Sequence, residues 1–175
     1  MSSDPSQSKD EKALTEQEAA ERLIRGEMTL GQFLQMPTEV LYQWAQKGHQ
    51  LLQAGSTQKA MEIFEGLVAA SPYDSVFHCQ LAASYMTLGR YDDAFTEFEL
   101  SLRFNMGNID ALVGRGEILL RRGDVPGGLA DFSNAIQRDP ELKRGSTQRA
   151  RSMLLVLQQQ AKQATEAMKA SEAKK

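Results

Sequence analysis

A period of 34 residues runs through the middle of this chain and limits its fold more than any other feature. Gly55 recurs as Gly89 and Gly123, and Phe64 as Phe98 and Phe132. Ala60 recurs as Ala94 and Gly128, Gly48 as Ala82 and Gly116, and Leu51 as Tyr85 and Leu119. Pro72 is matched by Pro140, with Met106 between them. Several columns agreeing over three copies mark a repeat architecture. Each unit reads as two helices, about 41–54 and 57–70 in the first. The glycines stand where the first helix must stop, because glycine accepts the left-handed backbone there. The alanine column is where two helices cross closely. The phenylalanines lie one turn further along the same face and fill the space between helices. Pro72 and Pro140 end the second helix.

These columns resemble the tetratricopeptide repeat. Its pattern of Trp, Leu-Gly, Tyr, Ala, Phe, Ala and Pro is matched in unit one by Trp44, Gly48, Leu51, Ala60, Phe64, Leu67 and Pro72. The expected fold is an all-α superhelix of three repeats, at 41–74, 75–108 and 109–142, with helices before and after. Met106 departs in the proline column and Gly128 in the alanine column. Pro126 falls in a first helical turn, where proline is tolerated.

The flanks carry their own signals. Residues 1–12 are polar and charged, and disorder is expected there. Residues 13–40 hold two capping boxes, Thr15 with Glu18 and Thr29 with Gln32, each opening a helix; Pro37 breaks the second before repeat one. Leu14, Leu23, Ile24, Leu30, Phe33 and Leu34 are more apolar surface than a linker needs. They are expected to pack on repeat one as a cap, to form a dimer interface, or both. In 143–175, Ser146 or Thr147 can cap a long helix with Ala150, Met153, Leu154, Leu157 and Ala161 on one face. A repeat array needs such a terminal cap. From Gln158 the helix carries no deep apolar stripe and should fray.

Charge and cysteine content narrow the function classes. The formal net charge of −3 suggests no nucleic-acid partner. Its distribution is uneven: 1–74 and 75–142 are acidic, whereas 143–175 has eight basic against two acidic residues. The tail therefore reads as a solvated face or as a contact for an acidic partner. One cysteine, Cys79, excludes an intrachain disulfide. The N-terminus lacks the apolar core of a signal peptide. No apolar run approaches the ~18 residues of a membrane span. A cytoplasmic protein that does not insert into membranes is expected.

No enzyme chemistry is expected. His49, His78 and Cys79 do not supply the three or four converging ligands a metal requires, and Cys79 has no evident base. Gly114-Arg115-Gly116 lies inside a helix and fails the context of a phosphate loop. No metal and no cofactor are expected. The repeats instead imply a concave surface lined by each first helix. The inward places are Tyr42, Ala45, His49 and Leu52 in unit one. They are Val76, Cys79, Ala83 and Met86 in unit two, and Asp110, Val113, Glu117 and Leu120 in unit three. Most are apolar, which suits an extended apolar peptide. The carboxylate clamp of tetratricopeptide adaptors for heat-shock chaperones would fall near Ala45, His49, Ala83, Asp110 and Gly114. None of these fits, and Asp110 would repel a carboxylate.

Residues 26–45, GEMTLGQFLQMPTEVLYQWA, are similar to the N-terminal segment of class II type III secretion chaperones, through Gly26, Thr29, Leu30, Leu34, Pro37, Glu39, Leu41 and Trp44. Pro72-Tyr73-Asp74 and Gly89-Arg90-Tyr91-Asp92 match as well. That resemblance implies a bacterial cytoplasmic chaperone without enzymatic activity. It implies partners that are the hydrophobic translocator proteins of a type III secretion system, kept soluble by a groove that holds an extended apolar segment. By position the groove takes in Tyr42, Ala45, His49, Leu52, Val76, Cys79, Ala83 and Met86, with Val113, Glu117 and Leu120 from the third unit. It also implies a homodimer through the N-terminal helices, with Leu23, Ile24, Leu30, Phe33 and Leu34 as the interface. The alternative is a general tetratricopeptide scaffold in a secretion or pilus assembly. Aromatic residues common in the family are replaced here by Ala45, His49 and Leu52, and the long basic tail is not a family feature.

Overall fold

The computed structural model describes residues 14–172, and the expected disorder at 1–12 falls outside that range. The described residues form nine helices. Two short ones lead, α1 (Glu16–Ile24) and α2 (Leu30–Phe33). Three hairpins follow: α3 (Thr38–Gln53) with α4 (Thr57–Ala70), α5 (Ser75–Thr87) with α6 (Tyr91–Phe104), and α7 (Ile109–Arg121) with α8 (Val125–Arg138). The long α9 (Gly145–Glu172) closes the stack against α7 and α8.

Each hairpin turns in the same way. Gly55, Gly89 and Gly123 adopt φ of 77°, 77° and 85°. At each, the glycine N–H bonds the carbonyl three residues back and the next N–H bonds the carbonyl five back, as in Gly55 to Leu52 and Ser56 to Leu51. This is the left-handed helix stop that a side chain would strain. Both N-terminal capping boxes form, Thr15 with Glu18 and Thr29 with Gln32.

The core is built from the repeating columns. Phe64 and Phe132 are fully buried and Phe98 nearly so. Each plug sits over a glycine: a Cβ on Gly48 would come within 2.8 Å of Phe64 Cζ, and one on Gly116 within 2.8 Å of Phe132 Cε1. Ala60, Ala82 and Ala94 are sealed at 0% exposure, so the small column is closed to anything larger. Burying one such ring contributes about 3 kcal/mol. At the junction of units two and three, where Met106 replaces proline, a polar cluster holds the turn. Asn108 Nδ2 donates to Ser75 Oγ and Ser101 Oγ at 2.9 and 3.0 Å, and its Oδ1 caps α7 through the Ala111 amide.

Two expected boundaries shift. The first repeat helix begins at Thr38 rather than at 41, because Pro37, at φ −61°, is already set for a helix start and Thr38-Glu39 continue it. Neither Ser146 nor Thr147 precedes α9. Both lie inside its first turn, buried, and Asp139 ties down the approach by accepting from Thr147 Oγ1 and from the Lys143 and Arg144 amides. Those donors hold its carboxyl below the usual range, the Thr147 hydroxyl foremost. Among the described residues, no helix is long and apolar enough to cross a membrane.

Candidate peptide-binding trough

The first helices of the hairpins, α3, α5 and α7, and then α9, line one concave face. At its centre lies a cavity of about 540 Å³. Its walls include His49 and Leu52 from α3, Cys79, Gln80, Ala83 and Met86 from α5, Asp110, Gly114 and Glu117 from α7, and Ser146 and Arg149 from α9. The Phe98 ring reaches the floor from α6. Toward the N-terminal ends of α5 and α7 a smaller cavity, about 270 Å³, takes in Val76 and Asp110. Toward their C-terminal ends another takes in Leu120.

The expected inward residues divide into three groups. His49, Leu52, Cys79, Ala83, Met86, Asp110 and Glu117 converge on the central cavity, and Val76 and Leu120 lie at its two ends. Tyr42 is exposed at the rim, its ring 5.1 Å from Phe77 and its hydroxyl donating to Asp74 Oδ2 at 2.8 Å. Burial and that hydrogen bond push its phenol up to about 12. Ala45 and Val113 are corrections: at 8% and 0% exposure they are consumed by packing between neighbouring helices and offer no surface to a partner. Size does not decide which inward positions stay open, since Ala83 is half-buried on the cavity wall while Ala45 is covered; the approach of the neighbouring helix does.

The sequence reading missed α9 as the fourth wall. Arg144 Nη1 donates to Asp110 Oδ2 at 2.9 Å, and Arg149 Nε donates to Glu117 Oε1 at 3.0 Å. Part of the basic tail thus meets the protein's own acidic body. The signal available was the opposite charge of 143–175 and 75–142, but charge sign alone does not choose between an internal and an external partner. With Arg144 and Ser146 on Asp110, the trough has no cluster of free cations for a terminal carboxylate.

Cys79 is 5% exposed, and burial, with the charge of Asp110 added, pushes its thiol up to about 12. His78 does not face the trough. It is buried, with Nδ1 2.6 Å from Glu97 Oε2 and Nε2 2.9 Å from the Pro72 carbonyl. Arg115 sits within α7 and forks onto buried Asp131 through two 2.8 Å bonds, so it holds α7 to α8. Among the described residues no group of three His, Cys, Asp or Glu side chains could hold a metal.

A second apolar region lies apart from the trough. Gly31 of α2 seats on the end of α4, where a Cβ would meet the Ala70 carbonyl oxygen at 2.8 Å. Around it a cavity of about 350 Å³ is lined by Leu30, Leu34, Met36, Leu41, Trp44 and Leu67 among others. α2 does pack on repeat one, but α1 touches only α2 and buries nothing. Leu23 and Phe33 are half-buried, while Ile24, Leu34, Trp44 and Leu30 stand 85%, 56%, 52% and 38% exposed.

No family model matches the sequence. Among curated proteins, the chain is 30% identical over 82 residues to the tetratricopeptide repeat and J domain-containing co-chaperone of Cryptococcus neoformans, of which it spans 16%. It is 27% identical to the low calcium response locus protein H of Yersinia pseudotuberculosis over 139 residues, 78% of this chain and 82% of that one. Among solved structures it aligns with the Yersinia enterocolitica type III secretion translocator chaperone SycD at a TM-score of 0.63 and 26% identity, covering 72% of this chain and 97% of that one. The fold is a tetratricopeptide-repeat superhelix, similar to that of the translocator chaperone SycD. The resemblance to class II chaperones read from residues 26–45 holds. A type III secretion complex from Aeromonas hydrophila aligns at a TM-score of 0.69 and 23% identity, over 82% of this chain and 97% of that one. PcrH, solved with the chaperone-binding region of PopB, aligns at 0.59 and 23%, over 67% and 97%.

Proposed function

We propose that this protein is a cytoplasmic chaperone for the hydrophobic translocator proteins of a bacterial type III secretion system. It holds an extended apolar segment of the translocator in the concave trough and so keeps it from aggregating before secretion. The observation that carries this reading is the open central cavity with Leu52, Ala83 and Met86 on its walls, in a fold shared with PcrH, which was solved in complex with the chaperone-binding region of PopB. Apolar segments of a pore-forming protein self-associate in water because burial removes their apolar surface from solvent. A preformed groove competes for that surface without chemistry, so no turnover is involved.

In this reading residues 41–142 are the binding array and 143–175 its cap and basic tail. Residues 13–40 form the capping and dimerisation segment, with a second copy covering Leu23, Ile24, Leu30, Phe33 and Leu34. Support for a dimer is the apolar surface that α1 and α2 leave uncovered. The test is co-expression with the hydrophobic translocator proteins of a type III secretion system, followed by affinity capture of the full chain. A translocator should co-purify and remain soluble, and Leu52→Asp or Ala83→Glu should release it while leaving the melting temperature within a few degrees. Capture unaffected by both substitutions would refute the trough as the binding site.

A further inference from the structure

The seam between α7 and α9 does not end at the central cavity. Past the Glu117–Arg149 ion pair lies a separate cavity of about 610 Å³ whose walls include Leu120, Met153, Val156 and Leu157. Met86 and Glu117 line both cavities, so the two adjoin on either side of one polar rung. Packing explains only part of this apolar set. Ala150 is fully buried and Met153, Leu154 and Leu157 are half-buried, but Val156 is 53% exposed. A terminal helix needs only a polar outer side, and a β-branched residue lowers helix propensity where nothing packs on it.

The dimensions suit one continuous ligand. From Arg144, at the N-terminal cavity, to Gln160, at the far one, α9 advances about 24 Å. About seven residues of extended chain cover that length. Gly114 to Leu120 is about 9 Å along α7, or roughly three residues of extended chain. Side chains of an extended segment alternate in direction. Two of them facing the protein therefore sit at i and i+2 or i+4, with the polar rung between.

The geometry points to a second subsite of the trough, in which Leu120, Met153, Val156 and Leu157 receive a further apolar side chain of the bound segment, so that α9 selects among translocator sequences. This rests on the reading that the trough holds an extended apolar chain. The partner chemistry is a peptide with two apolar side chains facing the protein; where they are spaced i and i+4, residue i+2 is polar and faces Glu117 and Arg149.

The test uses random 16-residue peptides displayed and selected on the full-length chain, with isotherms for the enriched peptides on three variants. Ala83→Glu in the central cavity should abolish binding of all of them. Val156→Asp should weaken them at least tenfold, and alanine at the second apolar peptide position should then cost nothing more. Val156→Ala should weaken them to a lesser degree, and it decides the question if the aspartate variant melts early. Peptides lost with Ala83→Glu but indifferent to both Val156 variants would overturn the second subsite and leave the chaperone reading standing. Peptides that bind Ala83→Glu unchanged, or no enriched peptides at all, would overturn both.

Discussion

Phe98 lies directly over Gly114: a Cβ on that glycine would fall 2.5 Å from Cε2 and 2.6 Å from Cε1 of the ring. The contact joins the second helix of one unit to the first helix of the next, and its open side is the floor of the trough. Gly114→Ala should therefore destabilise the fold even though alanine favours a helix by about 1 kcal/mol. Overpacking the core costs roughly 1–3 kcal/mol, and Phe98 has room to move only into the trough, so after the helix gain a net loss of about 1 kcal/mol, and up to about 2, is expected. Gly66 is the control. It is helical with nothing within 4 Å of its would-be Cβ, so Gly66→Ala should stabilise by about 0.5–1 kcal/mol. Urea denaturation of the two variants checks both signs.

A second prediction concerns pH. Both ring nitrogens of His78 face acceptors, Glu97 and the Pro72 carbonyl, an arrangement that favours the protonated ring, in which both nitrogens donate. Burial opposes that charge, but the two hydrogen bonds, with the charges of Glu97 and Asp74, outweigh it and raise the pKa above the ordinary 6.5. A raised folded pKa stabilises the fold fully below the unfolded value and loses that contribution as pH climbs through the folded one. Stability should thus fall from about pH 6.5 upward. Glu97→Gln keeps an acceptor on Nδ1 but removes the charge, and it should flatten the fall. Melting temperatures between pH 5.5 and 9 test it. An identical slope in Glu97→Gln would show that another group titrates.

The hairpin stack was legible because it depends on residues with few substitutes. Gly55, Gly89 and Gly123 need a left-handed backbone, and Phe64, Phe98 and Phe132 need a small residue opposite. Such requirements leave a period in the sequence. The trough was legible only in part. Helical position placed Leu52, Ala83 and Met86 on the inner face, but whether an inward residue stays open depends on how closely the next helix approaches, which closed Ala45 and Val113. The α9 wall depends on side-chain pairing across 32 and 34 residues, Arg149 with Glu117 and Arg144 with Asp110. No local spacing encodes that.

Cys79 lines the central cavity yet should be unreactive. Burial pushes its thiol to about 12, so at pH 8 its thiolate fraction is on the order of 10³ below that of a free cysteine. Labelling with a disulfide reagent should be slow in the native protein and fast in urea. Rapid native labelling would mean that α5 opens toward the trough far more readily than its packing implies.

The N-terminal apolar region gives the last prediction. Ile24 stands 85% exposed at the end of α1, which buries no residue of its own, and Leu34, 56% exposed, lines a cavity with Trp44. A monomer gains nothing from holding that surface in water, at roughly 25 cal/mol per Å². A second copy placed over α1 and α2 removes it. Light scattering of the full-length protein should give twice 19.4 kDa. The double variant Ile24→Asp, Leu34→Asp should give the single mass, with urea stability extrapolated to the monomer changed by less than about 1 kcal/mol, because neither side chain supports the repeats. Peptide binding in the trough should survive in that monomer, since α3, α5, α7 and α9 line it without help from α1 or α2. A double variant that stays dimeric would place the interface elsewhere on the stack.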